Sequence, residues 1–120
     1  MGCAMKASAV FCLLSLLLAP ACGGTVTSPS TVPGWVVALI AQFQSAPVGN
    51  PPQSIYRYTY KGQTVYYVPP QCCDQYSTLY DAGGQVMCAP DGGIDGRGDG
   101  KCPGFRQERT DGALVWRDSR

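Results

Sequence analysis

The sequence predicts an α+β fold: one N-terminal helix packed on an antiparallel sheet of two hairpins, stapled by disulfides. Three observations predict it. An apolar run at helical spacing comes first, followed by two pairs of β-rich runs, one pair joined by Lys61-Gly62 and the other by Asp81-Ala82-Gly83-Gly84. Helix first and hairpins after is the order of an antiparallel α+β domain, not of alternating βαβ units. Cys72, Cys73, Cys88 and Cys102 surround the second hairpin, where bridges would hold a small core together.

The helix is expected over 35–44. Ser30 or Thr31 is placed to cap it, and Pro33 lies near the first turn, where a missing N–H costs nothing. Val36, Ile40 and Phe43 share a face with Leu39 beside them. The opposite side is nearly as apolar, so the helix is expected to pack well into the core. A helix that also offers an apolar face to a partner is the alternative. Pro47, Gly49, Asn50, Pro51 and Pro52 end it.

In the first hairpin, Tyr56, Tyr58 and Tyr60 alternate with Ile55, Arg57 and Thr59, and residues 63–68 form the partner strand. The tyrosine face is expected to cover a helix with its hydroxyls reaching water. A platform for a sugar or a peptide is the other reading. The second hairpin is expected from strands over 75–80 and 85–88.

The chain has 120 residues, with nine Lys and Arg against eight Asp and Glu, and no histidine. That length suits one domain. The near-zero charge excludes a basic nucleic-acid-binding face. The absence of histidine removes the commonest general base and the commonest zinc ligand together. No catalytic constellation emerges, and no cofactor is expected. A carboxylate pair for hydrolysis can be drawn from Asp74, Asp81 and the loop aspartates, but nothing places two of them across a cleft.

The loop over 91–100 is dense in glycine and aspartate. Asp91, Asp95 and Asp99 are weak calcium candidates: oxygen ligands on glycine turns suit a hard cation. Arg97 in their midst and the absence of a closing glutamate favour a glycine-rich surface loop instead. Arg97-Gly98-Asp99 spells an adhesion tripeptide, which a tight turn explains. The four cysteines allow three pairings. Adjacent Cys72 and Cys73 would close a strained ring, so each is expected to bond to Cys88 or Cys102. Zinc is disfavoured because the cysteines lack the paired spacing that brings two thiolates to one metal.

Residues 1–21 read as a signal peptide: Lys6, an apolar run over 7–18, and Ala19-Pro20-Ala21 as the cleavage site. The run is too short to span a bilayer, which takes about 20 residues. Leu18-Ala19-Pro20-Ala21-Cys22 resembles the lipobox of bacterial lipoproteins, which implies acylation of Cys22, with chains such as palmitate, and a new N-terminus there. Ala19 stands where the lipobox usually has leucine, and Pro20 where it has a small residue. Lipidation of Cys22 would leave an even set of four cysteines. The organisation expected is a signal peptide over 1–21, a lipid anchor and flexible tether over 22–33, an α+β domain over 34–105 and a polar C-terminal tail over 106–120. Ala113-Leu114-Val115-Trp116 in that tail could add a short strand.

The motifs Gly62-Gln63-Thr64-Val65-Tyr66-Tyr67, Cys72-Cys73-Asp74, Cys88-Ala89-Pro90-Asp91-Gly92-Gly93 and Gly98-Asp99-Gly100-Lys101-Cys102-Pro103 together resemble a domain-of-unknown-function family of small bacterial lipoproteins, over roughly 35–105. The resemblance implies a bacterial envelope location and no assigned activity. The expected function is an envelope lipoprotein acting as a binding or structural module. It would be held to the membrane through its lipid and meet an envelope protein or glycan. A secreted soluble inhibitor or ligand-binding domain is the alternative if Cys22 is not lipidated, and a carboxylate-using hydrolase comes after that.

Overall fold

The computed structural model describes residues 32–72 and 74–120. The signal peptide, Cys22, most of the tether, and Cys73 lie outside the described residues. Everything that follows belongs to the unit Val32–Arg120.

Helix α1 spans Gly34–Ser45. Pro33 occupies its N-cap, and its carbonyl accepts from the amides of Val36 at 2.9 Å and Val37 at 3.2 Å. Strands β1 (Ser54–Tyr60) and β2 (Gln63–Val68) form the first hairpin. Its two-residue turn puts Lys61 and Gly62 at φ 50° and 75°. Left-handed conformation at both central residues matches the twist of the flanking strands. Strands β3 (Thr78–Tyr80) and β4 (Val86–Cys88) are shorter than the sequence suggests. Helix α2 covers Phe105–Glu108, and β5 covers Thr110–Arg117.

The expectation of one helix on two hairpins is overturned. The strands make a single five-stranded antiparallel sheet in the order β4-β3-β2-β1-β5. Tyr66 faces Tyr80 across β2 and β3, so the hairpins merge into one meander. The segment expected as a polar tail supplies all of α2 but Phe105, and the longest strand. β5 pairs with β1 from Ser54↔Arg117 to Thr59↔Thr110, with two register shifts between. Those shifts, and Asp111 at φ 56°, break the strict alternation that marks a strand in sequence.

Both faces of the sheet are covered. On one, α1 packs Val36, Leu39, Ile40 and Phe43 against Ile55, Tyr66, Val68 and Trp116. Trp35 meets Tyr66 edge-on at 5.1 Å, and Phe43 stacks on Trp116 at 6.0 Å. α1 is not sunk into the core as expected: of its residues only Val36 is fully buried, and Val37 stays 55% exposed. Its last turn is closed from far along the chain. Arg120 donates to the carbonyls of Phe43, Gln44 and Ala46 at 3.0–3.2 Å, a cation on a helix C-terminus.

The tyrosine face is the opposite one, so α1 does not cover it. Strand alternation puts Tyr56, Tyr58 and Tyr60 with Val65, Tyr67 and Leu79, on the far side from Ile55. Phe105 of α2 fills this second core, edge-on to Tyr58 at 5.7 Å and to Tyr60 at 5.3 Å. Burying such a side chain contributes about 1.5–3 kcal/mol. The guanidinium of Arg109 then lies 4.5 Å above the Tyr58 ring. Among the described residues no helix is long and apolar enough to cross a membrane.

Candidate functional site

The segment between β4 and α2 is the candidate site. It is closed at its base by a disulfide between Cys88 and Cys102, with a Cα–Cα distance of 6.1 Å. This corrects the expected pairing of those two cysteines with Cys72 and Cys73. The reason lies in how the loop folds. Asp99 donates its amide to the Ala89 carbonyl at 2.9 Å, and its carboxylate accepts the Ala89 amide at 3.1 Å. That reciprocal pair returns the chain to the end of β4, so Cys102 arrives beside Cys88. Cys72 lies beyond β2 and is also disulfide-bonded.

Glycine is required where the loop doubles back. Gly98 has φ 69°, and a Cβ there would collide with the Ala89 carbonyl oxygen. Its amide donates to Gly92 at 3.0 Å, and Gly93 donates to Gln75 at 3.0 Å. The loop is thus laced to itself and to the segment before β3.

The three calcium candidates do not converge; among the described residues no group of three or more His, Cys, Asp and Glu is arranged to hold a metal ion. Each aspartate accepts hydrogen bonds from the chain instead. Asp95 accepts from the Arg97 amide and Asp99 from the Lys101 amide, both at 3.0 Å, in turns that close two residues on. The Lys101 amide, followed by that of Ala89, holds the Asp99 carboxyl below its usual range. In the same way Asp81 accepts from Gly83 and Gln85 at 2.9 Å.

Asp91 is different, because it is buried. Its carboxylate accepts the Tyr67 hydroxyl on both oxygens at 2.9 Å. Arg106 of α2 reaches the same carboxylate with Nε at 3.3 Å. Its backbone is held by Ser77: the hydroxyl donates to the Asp91 carbonyl at 3.0 Å and accepts the Asp91 amide at 3.1 Å. Burial pushes the Tyr67 hydroxyl pKa well up, and the hydrogen bond to Asp91 and its negative charge add to this, so the phenol stays a donor. Sequence reasoning missed Tyr67, Ser77, Arg106 and Arg109. Only Tyr67 carried a signal, through the parity that puts it on the face of Tyr58.

Outside Asp91, Arg97 and Arg106 border a cavity of about 390 Å³, with Pro90 and Pro103 as apolar walls. A second groove, of about 440 Å³, runs between Pro51-Pro52 and Pro69-Pro70. There Arg117 donates to the Tyr56 hydroxyl at 2.7 Å.

A family model described as Domain of unknown function (DUF6970) matches the chain over residues 41–118. The chain belongs to this family. The matched span runs from within α1 to the residue after β5, so the DUF6970 domain contains the disulfide loop, Asp91 with its partners, and the strand that sequence reading set outside the shared region. No curated protein and no solved structure matches the chain.

Proposed function

We propose that this DUF6970 domain is a lipid-anchored module of the bacterial cell envelope, which binds its ligand through the disulfide-closed loop. The observation that carries the reading is the state of the loop aspartates. Asp91, Asp95 and Asp99 are all engaged by the chain itself, which favours a rigid recognition surface over a pair of reacting carboxylates. The Cys88–Cys102 disulfide supports an oxidising location. The lipobox-like run ending at Cys22 supports anchoring.

Ile94, 89% exposed on this loop, is the place to test it. A photo-crosslinking residue at position 94 in intact cells should give a defined adduct. The same group at exposed Ala41 on α1 should not give that adduct. Equal labelling from both positions would contradict a loop-borne site.

A further inference from the structure

We propose that the cavity between Arg97 and Arg106 receives a carboxylate group carried on a short aliphatic body. This rests on the binding-module reading and names the ligand chemistry of that site.

Charge is the first argument. The cavity is bordered by two arginines and one aspartate. The Asp91 side chain is only 7% exposed and already accepts from Tyr67 and Arg106. Arg106 meets its charge and its oxygens are largely covered, so it offers little to a ligand ammonium. Among the residues that border the cavity, two arginines stand against one aspartate, an excess of one positive charge that suits a monoanion.

Donor geometry is the second. Arg106 turns Nε to Asp91, while its side chain stays 67% exposed. A guanidinium carries five N–H donors in a planar fork, so its terminal nitrogens can serve a second acceptor. Arg97 is anchored at its root, since its amide donates to Asp95 and its backbone bridges to Gly92. Arg97 on the loop and Arg106 on α2 are thus each held by a bond to the fold. Preorganisation of this kind lowers the ordering cost of binding. The rings of Pro90 and Pro103 provide apolar contact for a short aliphatic group. A peptide C-terminus and a small organic acid both carry this chemistry.

The test is a titration of the full chain in detergent, followed by amide and guanidinium NMR. The probes are N-acetyl-Ala-Ala, its C-terminal amide, propionate and inorganic phosphate. The free acid should saturate with shifts at Gly96, Arg97, Gly100 and Arg106, and the amide should not. Acid dipeptide binding at least tenfold tighter than propionate identifies a peptide end; equal binding identifies a small acid. Arg97→Gln leaves the internal bonds of the loop in place and should weaken the acid about tenfold, with Arg97→Lys in between. Equal binding of acid and amide, tighter binding of phosphate, or an unchanged Arg97→Gln variant would overturn the site. Shifts confined to Tyr56 and Arg117 would overturn this site and binding through the loop together, whereas a loop crosslink in cells with no binding of the acid would overturn this site and leave the binding-module reading intact. Arg97-dependent binding of the acid without a loop crosslink in cells would leave this site standing and count against the module reading alone.

Discussion

The Tyr67 hydroxyl donates to both carboxylate oxygens of Asp91, at 2.9 Å to each. This contact joins the central part of the sheet to the glycine-rich loop over a sequence separation of 24. It makes the loop part of the fold rather than an appendage held by its disulfide alone.

Tyr67→Phe keeps the ring against Phe105 and removes only the donor. Asp91 would then retain Arg106 but lose its bonds from the sheet. Leaving a buried acceptor short of its donor costs about 1–3 kcal/mol. For a domain of this size each kcal/mol lowers Tm by about 4–8 °C. Thermal melts of the variant should show that drop. A Tm within about 1 °C of wild type would mean the contact contributes nothing.

The disulfide makes a separate prediction. Closing a loop of about 15 residues stabilises by about 3 kcal/mol in the chain-entropy account. Replacing both Cys88 and Cys102 by serine should lower stability by about that much, measured by urea unfolding. Because Phe105 begins α2 three residues after Cys102, the variant should also lose protection of the Phe105 amide in hydrogen exchange. Non-reducing peptide maps of the wild type should recover Cys88 joined to Cys102. Either one joined to Cys72 would refute the loop closure.

How far the sequence reaches can be judged from these elements. The β1–β2 turn at Lys61-Gly62 and the tyrosine alternation are local signals, and both are realised. The merger of the hairpins is not local, because Tyr66↔Tyr80 depends on where the chain goes after Pro69-Pro70. β5 was hard to read because its register shifts and left-handed Asp111 hide its period. The disulfide partner of Cys88 was hidden for a related reason: it depends on Asp99 folding back onto Ala89, and spacing does not encode that. Arg106 gave no signal at all, since its meaning arises only when α2 is laid beside Asp91.

The C-terminus carries a pH dependence. Arg120 donates to the Asp118 carboxylate through Nε at 3.0 Å and Nη2 at 2.7 Å. Those side-chain bonds first, and the Arg120 amide after them, hold the Asp118 carboxyl below the usual range. A folded pKa below the unfolded one contributes stability that is complete above the unfolded value, about 3.9, and is lost as pH falls through the folded value. The stability gap between wild type and Asp118→Asn should therefore be full at neutral pH and close below about pH 4. A gap that persists unchanged into strong acid would show that Asp118 acts through something other than its charge.

The proposed anchoring in the envelope turns on the chemical state of Cys22. Intact mass and fractionation of the protein made in a bacterial host should show a chain beginning at Cys22, carrying acyl mass and sedimenting with membranes. Cys22→Ser should abolish the acyl mass and release the domain in soluble form. A chain that keeps residues 1–21, or one that begins at Cys22 without acyl mass and is soluble, would contradict the account.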